Sequence, residues 1–266
     1  MKKFQQIYLE ITNMCNLQCP FCQNDGRKSS FLSLLYIEQI LDKIKDYTHS
    51  IYLHVKGEPM LHPEFKEILL FLKKQQINTK ITTNGTFIDK YGEELIKCNN
   101  IHHINISLQA SNTFDKIRKD QYFNKLFNFL DKLDNDTYVY LRDWVHDIDN
   151  VQRLKEKYPS FEPIGGYKIS NNIIYSYQDE FEWPDINNEL VENTRCLGGK
   201  NQLGILVNGD IVLCCLDSTS KTKVGNIFEC NNLQEVLNSD LYQKAVSEMP
   251  YFELCKKCKF RLRFKE

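Results

Sequence analysis

Two periodicities alternate over the first 170 residues, and this alternation restricts the fold more than anything else in the sequence. Residues 6–12, 50–55, 79–83, 101–108 and 137–142 are short runs rich in β-branched and aromatic side chains, and 167–169 adds a sixth. Such runs predict strands. Between them, apolar residues recur every three or four positions, which predicts helices. The predicted helices cover 33–46, 62–75, 91–97, 113–133 and 149–157, with Ser33 as an N-cap and Pro63 in a first turn. Strands that alternate with helices pair in parallel through right-handed crossovers. Six such units close only part of a TIM-like circle. The expected fold class is therefore α/β, with a partial (β/α)6 TIM-like barrel over 1–170. Parallel sheets place their chemistry at the C-terminal ends of their strands. The polar and sulfur-bearing residues of this chain collect there.

The end of the first strand carries Cys15-Asn16-Leu17-Gln18-Cys19-Pro20-Phe21-Cys22, three cysteines in eight residues at spacing C-x3-C-x2-C. Thioredoxin-like motifs use a single C-x-x-C, and zinc sites pair C-x-x-C with a second pair or with histidines. Three thiolates on one loop suit one face of an iron–sulfur cube. They leave the fourth iron open, as a catalytic zinc keeps an open position. After the second strand comes Gly57-Glu58-Pro59, and after the third Thr83-Asn84-Gly85. Ser107 and Arg142 lie at the ends of the fourth and fifth.

Residues 171–195 have weak periodicity and contain Trp183-Pro184, and are read as a linker. The cysteines return at 196–266. Alternating runs around Asn208-Gly209 predict a β-hairpin between Cys196 and Cys214. A helical stretch is expected from Leu233 to about Glu248, and Cys255-Lys256-Lys257-Cys258 follows. Four cysteines with a hairpin between them fit a fully ligated cluster and also fit a structural zinc. The expectation is a small α+β iron–sulfur domain.

The cysteine loop, with the aromatic Phe21 before its third cysteine, resembles the signature of the radical S-adenosylmethionine (radical SAM) superfamily. Gly57-Glu58-Pro59 matches that family's G-G-E-P motif from its second glycine on, with Lys56 in place of the first. Gly209 to Cys214 matches the G-x4-C of the SPASM domain that follows many radical SAM cores. Only four matching cysteines are present (Cys196, Cys214, Cys255 and Cys258), so the segment resembles the shortened "twitch" version with one auxiliary cluster. The resemblance implies two [4Fe–4S] clusters and S-adenosylmethionine. Cys15, Cys19 and Cys22 would hold the first cluster. Phe21, Gly57, Glu58, Pro59, Asn84, Ser107, Gln109 and Arg142 would contact the cofactor, with Glu58 accepting from its ammonium group and Arg142 offering a guanidinium fork to its carboxylate.

The resemblance also implies reductive cleavage to a 5′-deoxyadenosyl radical and removal of a hydrogen atom from a substrate carbon. The electron would come from a flavodoxin or ferredoxin-like donor. The expected outcome is oxidation or epimerisation of a sugar-like metabolite or small peptide, and peptide crosslinking or maturation is the alternative. Cys215 is read as a hydrogen-atom donor, because it follows a proposed ligand and leaves a strand on the opposite face. In sulfatase-maturing SPASM enzymes that position is an aspartate base; here the nearest aspartate is Asp217. Packing, or service as an alternative ligand, is the other reading of Cys215. The lesser alternatives are a purely structural pair for Glu58 and Arg142 and a backbone bond for Ser107. Cys98 and Cys230 are read as ordinary thiols, and His54, His102 and His103 as packing or surface.

The bulk properties exclude other classes. A net charge of −1 gives no basic field for nucleic acid or membrane, and Lys256-Lys257 and Lys259 to Arg263 are read as solvated surface. No apolar run is long enough to span a bilayer, and the N-terminus enters a strand with no signal-peptide pattern. Ten cysteines without an export signal point to metal ligation in a reducing, cytoplasmic setting. The rival to an enzyme is a non-catalytic iron–sulfur or zinc protein that binds a partner.

Overall fold

A computed structural model describes residues 3–23, 26–133, 136–144, 147–177, 182–192 and 195–264. In chain order the elements are β1 (Gln6–Leu9), α1 (Leu34–Ile44), β2 (Ile51–Tyr52), α2 (Phe65–Lys74), β3 (Thr79–Thr83), α3 (Ile88–Lys97), β4 (Ile101–Ser107), α4 (Lys116–Leu130), β5 (Tyr138–Asp143) and α5 (Ile148–Lys157). They continue with β6 (Tyr167–Lys168), β7 (Ile173–Tyr177), β8 (Gln202–Ile205), β9 (Asp210–Val212), β10 (Lys223–Asn226), α6 (Leu233–Leu237), α7 (Asp240–Ser247) and α8 (Glu253–Lys256). The result is an α/β fold in which most strands pair in parallel, as the alternating pattern requires. Among the described residues no helix is long and apolar enough to cross a membrane.

The chain divides into two compact units that do not follow chain order. One comprises Met1–Met14, Gln23–Gly57 and Phe181–Glu266; the other comprises Cys15–Cys22 and Glu58–Glu180. In the first, β1 lies between β2 and β8 and pairs with both in parallel, and β9 and β10 extend the sheet antiparallel. Ile7 and Leu9 of β1 are fully buried, as are Leu203 and Ile205 of β8 opposite them. In the second unit β3, β4, β5 and β7 run parallel, with β6 antiparallel on the edge. Ile81, Ile104, Ile106, Val139 and Leu141 are buried on one face. Lys80, His103, Asn105, Ser107, Tyr140 and Arg142 share the other, by strand register.

Local signals explain most boundaries. The Ser33 hydroxyl accepts the Tyr36 N–H and starts α1, and Asp115 does the same for α4 through Arg118. The helix expected over 62–75 begins only at Phe65, because Glu58 caps a separate 3₁₀ turn over Pro59–Leu61. The helix expected over 113–133 is preceded by another 3₁₀ turn, Leu108–Thr113, and starts at Lys116. The helix expected from Leu233 is broken in two, because Ser239 caps α7 through the Tyr242 N–H.

Two expectations need correction. The strand at 167–169 is not the next parallel strand, since β6 only folds back on β7. The parallel partner of β5 is β7, inside the stretch read as linker. Its core anchor is Tyr175, fully buried, whose hydroxyl donates to Asp143 at 3.1 Å. Arg261, read as solvated surface, is 1% exposed and donates to the Val191 carbonyl at 2.5 Å.

Candidate active site

The cysteine loop leaves the end of β1 and returns toward α1 through a tied neck. The Thr12 hydroxyl donates to the Ser30 carbonyl at 2.9 Å, and the Asn13 amide donates to the Lys28 carbonyl at 2.9 Å. The Ser30 and Leu32 N–H groups donate back to Asn13 Oδ1 and to the Ile11 carbonyl, each at 2.8 Å. Within the loop the Cys22 N–H donates to the Cys19 carbonyl at 3.0 Å, a turn that brings the two thiols round together. Cys15 and Cys22 are exposed and Cys19 half-buried.

Burial, and then the neighbouring Cys15 and Cys22 sulfurs, push the Cys19 thiol up to about 11. Mutual repulsion of this kind is what an iron–sulfur cluster, with its positive irons, reverses. The Leu17 N–H reaches Cys15 Sγ at 3.4 Å and the Asn84 amide reaches it at 3.7 Å. Such donors suit a ligated thiolate and tune a cluster's potential. No three His, Cys, Asp or Glu side chains among the described residues converge on a single ion. A cluster does not need them to, because each of its cysteines binds a different iron. The donor set fits the group.

Glu58 ties the loop after β3 to the turn after β2. Its Oε1 accepts the Met60 N–H at 3.0 Å and the Thr83 hydroxyl at 2.8 Å; its Oε2 accepts the Asn84 N–H at 2.7 Å. Burial raises the carboxyl to about 7, against the lowering effect of those donors. The Asn84 side chain bridges onward, donating to Asn16 Oδ1 at 3.0 Å and accepting from the Thr86 hydroxyl at 2.7 Å. Asn84 is thus the single residue between Glu58 and Cys15 on this path. Gly57 has φ +77°, and a Cβ there would lie 2.5 Å from the Thr12 carbonyl oxygen. Only glycine lets this turn lie against the entry to the cysteine loop.

Ser107 and Arg142 are register partners at the ends of β4 and β5. The Arg142 guanidinium lies 5.6 Å from the Trp144 ring centre, and Trp144 meets Phe21 edge-on at 5.9 Å. Phe21 is thereby linked to Arg142 through a ring the sequence reading passed over. Gln109 is 1% exposed, and its side-chain oxygen has no donor among the described residues. A buried acceptor of this kind fits a hydroxyl of a bound ribose.

The second cysteine set also gathers. The Gly198 N–H donates to Cys196 Sγ at 3.3 Å, and a Cβ at Gly198 would lie 3.7 Å from Cys214 Cβ. Burial and the Cys196, Cys258 and Asp217 neighbours push the Cys255 thiol up to about 12, with Arg261 opposing. Burial first, and then Cys215, Cys255 and Cys196, hold the Cys214 thiol well above its ordinary value. Burial raises the Cys258 thiol as well, against the lowering effect of the Phe260 and Arg261 N–H groups.

Residues 9–136 match the model of the radical SAM superfamily, and residues 196–259 match that of an iron–sulfur cluster-binding domain, SPASM. Residues 9–136 thus form a radical SAM domain and residues 196–259 a SPASM domain. Both domains imply S-adenosylmethionine and iron–sulfur clusters as the chain's cofactors. A GTP 3′,8-cyclase of Vibrio atlanticus is 30% identical over 141 residues, 49% of this chain and 42% of that protein. A probable GTP 3′,8-cyclase of Methanococcus maripaludis is 29% identical over 113 residues, 41% of this chain and 38% of that one. The match thus spans about two fifths of the length of these curated relatives. A crystal structure of BtrN with AdoMet and 2-DOIA superposes with a TM-score of 0.68 at 17% identity, covering 97% of this chain and 94% of BtrN. Streptococcus suis SuiB bound to its precursor peptide SuiA gives 0.53 at 18%, covering 97% and 71%. At such identities the likeness shows the fold.

Within this radical SAM fold the departure at Lys56 is accommodated. The left-handed backbone falls on Gly57, and Lys56 is not among the positive-φ residues. Asp217 has both oxygens engaged. Oδ1 accepts from Thr219 N–H and hydroxyl and Lys221 N–H, and Oδ2 accepts from Thr222 N–H and hydroxyl, all within 2.6–3.2 Å. That makes it the brace of the turn after Cys214. Cys215 is half-buried beside Cys214. Cys98 is buried, and Cys230 is half-buried and donates to the Ile227 carbonyl at 3.6 Å.

Proposed function

We propose that this chain is a radical SAM oxidoreductase or isomerase with two [4Fe–4S] clusters, one on Cys15, Cys19 and Cys22 and one on Cys196, Cys214, Cys255 and Cys258. Its substrate is a sugar-like metabolite or a small peptide, and its outcome oxidation or epimerisation. The observation that carries this reading is the chain of contacts from Cys15, one of three thiols on its loop, through Asn84 to the buried carboxylate of Glu58. When bound, the cluster and S-adenosylmethionine supply a 5′-deoxyadenosyl radical, formed with one electron from a flavodoxin or ferredoxin-like donor.

The chain's own residues bind and orient. Glu58 Oε2 accepts one N–H and keeps acceptor capacity for the cofactor's ammonium group. Ser107 and Arg142 receive its carboxylate and ribose, and the Gln109 oxygen takes a ribose hydroxyl. Trp144 and Phe21 cover the loop. Cys215 would return a hydrogen atom if the outcome is epimerisation. The name of BtrN's ligand, 2-DOIA, supports a small substrate; SuiB's precursor peptide supports a second reading, peptide modification. The GTP 3′,8-cyclase relatives carry a different reaction in their name and match less than half of this chain.

Anaerobic reconstitution tests the reading. About eight irons per chain, and 5′-deoxyadenosine on addition of dithionite and S-adenosylmethionine, support it. Bound zinc with no cleavage supports the rival, a non-catalytic metal protein.

A further inference from the structure

Glu10 follows the last residue of β1 and is fully buried. Its carboxylate is met by four donors from three separate stretches of the same compact unit. Arg27, on the exit of the cysteine loop, donates through both terminal nitrogens, at 2.6 Å to Oε2 and 2.7 Å to Oε1. The Lys56 N–H, one residue before Gly57, donates to Oε1 at 3.1 Å. The Val207 N–H, at the tip of the β8–β9 hairpin, donates to Oε2 at 2.9 Å. β2 and β8 flank β1 on its two sides, so the carboxylate bonds just past the ends of both neighbouring strands while Arg27 closes over it.

A buried ion pair is poor evidence of stabilisation, because packed apolar side chains of similar volume often serve as well. What this pair supplies is geometry. A bidentate fork fixes direction as well as distance. Each carboxylate oxygen carries one Arg27 bond and one backbone bond, so neither backbone N–H can shift without breaking the pattern. The two backbone groups held are those that lead into the Gly57 turn and into the hairpin before Cys214.

We propose that Glu10, held by Arg27, is a positioning residue for S-adenosylmethionine: it sets the Lys56-Gly57 entry to the Gly57-Glu58-Pro59 turn in register with the neck of the cysteine loop and with the hairpin of the SPASM-like segment. The proposal rests on the reading that this turn holds the cofactor. Glu10→Gln keeps the shape but replaces one acceptor oxygen by a donor, which faces a donor whichever way the amide turns. Arg27→Lys keeps the charge and loses the fork.

The test uses the full-length chain reconstituted with iron and sulfide. The readouts are iron content, thermal unfolding, the change in the reduced-cluster EPR signal on titration with S-adenosylmethionine, and KM and kcat for 5′-deoxyadenosine formation. The expected result for Glu10→Gln is unchanged iron, a KM for S-adenosylmethionine raised about tenfold, a kcat changed less than about threefold and an altered cofactor-induced EPR shift. Arg27→Lys is expected to give the same effect at smaller size. Variants that bind and cleave the cofactor like the parent overturn the proposal, as do variants that lose iron and cofactor affinity together. If Glu10→Gln does not fold, Arg27→Lys decides by the same criteria. A parent protein that neither binds nor cleaves S-adenosylmethionine removes the proposed function itself, a failure distinct from insensitive variants of an active parent.

Discussion

Gly57 and Glu58 are neighbours with opposite requirements, one for the absence of atoms and one for charge. Gly57→Ala places a Cβ 2.5 Å from a backbone oxygen at φ +77°. The left-handed conformation alone costs about 1–2 kcal/mol, and the clash adds to it. Denaturant unfolding of this variant should show a loss of about 2 kcal/mol or more, with cofactor binding weakened. For Glu58 the sign follows from burial. Its carboxyl, raised to about 7, is protonated through the range where an exposed glutamate is ionised. Ionisation therefore costs folding stability as pH rises from its ordinary value of 4.5 through about 7. A cationic ligand wants the ionised form. Affinity for S-adenosylmethionine should rise about tenfold per pH unit below 7 and level off above it. Titrations at pH 6, 7 and 8 check this, and Glu58→Gln should flatten the profile. Cys215→Ala should leave iron content and cofactor cleavage intact; a loss of about half the iron would make Cys215 a ligand.

At the scale of elements, the sheet of the second unit tests how far sequence pattern reaches. Tyr175→Phe in β7 removes a buried donor from Asp143, itself fully buried. The expected cost is about 1–3 kcal/mol, read from chemical denaturation. So large an effect would not come from a linker. The pattern was legible wherever a strand was long and followed by a clear helix, as for β3, β4 and β5. It failed at β7, five residues of mixed polarity paired with a two-residue strand too short to announce a hairpin. The placement of Glu58, Asn84, Ser107 and Arg142 was readable because they follow or end strands of the parallel sheet. Trp144 was passed over because nothing in its local spacing ties it to Phe21, which lies 123 positions away and meets it only through the fold. The bracing of its turn by Asp217 was not legible, because sequence shows a carboxylate and not the five donors that surround it.

For the whole molecule the main departure from chain order is that the C-terminal segment is not an appendage. β8 pairs with β1 along its full length, and residues 181–266 cluster with the N-terminal strands. A boundary between the two units does fall inside 171–195, but the segment beyond it joins the N-terminal strands instead of forming a unit of its own. Removing 196–266 would strip β1 of one neighbour and take away Leu203, Ile205, Leu206, Ile211, Val212 and Leu213, all at most 1% exposed. Each is worth about 1.5–3 kcal/mol on burial, so the loss is comparable with the whole stability of a typical domain, about 5–15 kcal/mol. It would also leave an unpaired strand edge, an invitation to aggregation. The truncated chain should fail to accumulate as a folded species in size-exclusion chromatography and circular dichroism. The paired variant Cys255→Ala/Cys258→Ala removes only proposed ligands. It should keep the far-ultraviolet spectrum and lose about half the iron of the reconstituted parent. A truncated chain that folds and cleaves the cofactor unaided would mean that the β1–β8 pairing is dispensable, and that the two cysteine sets belong to separable modules after all.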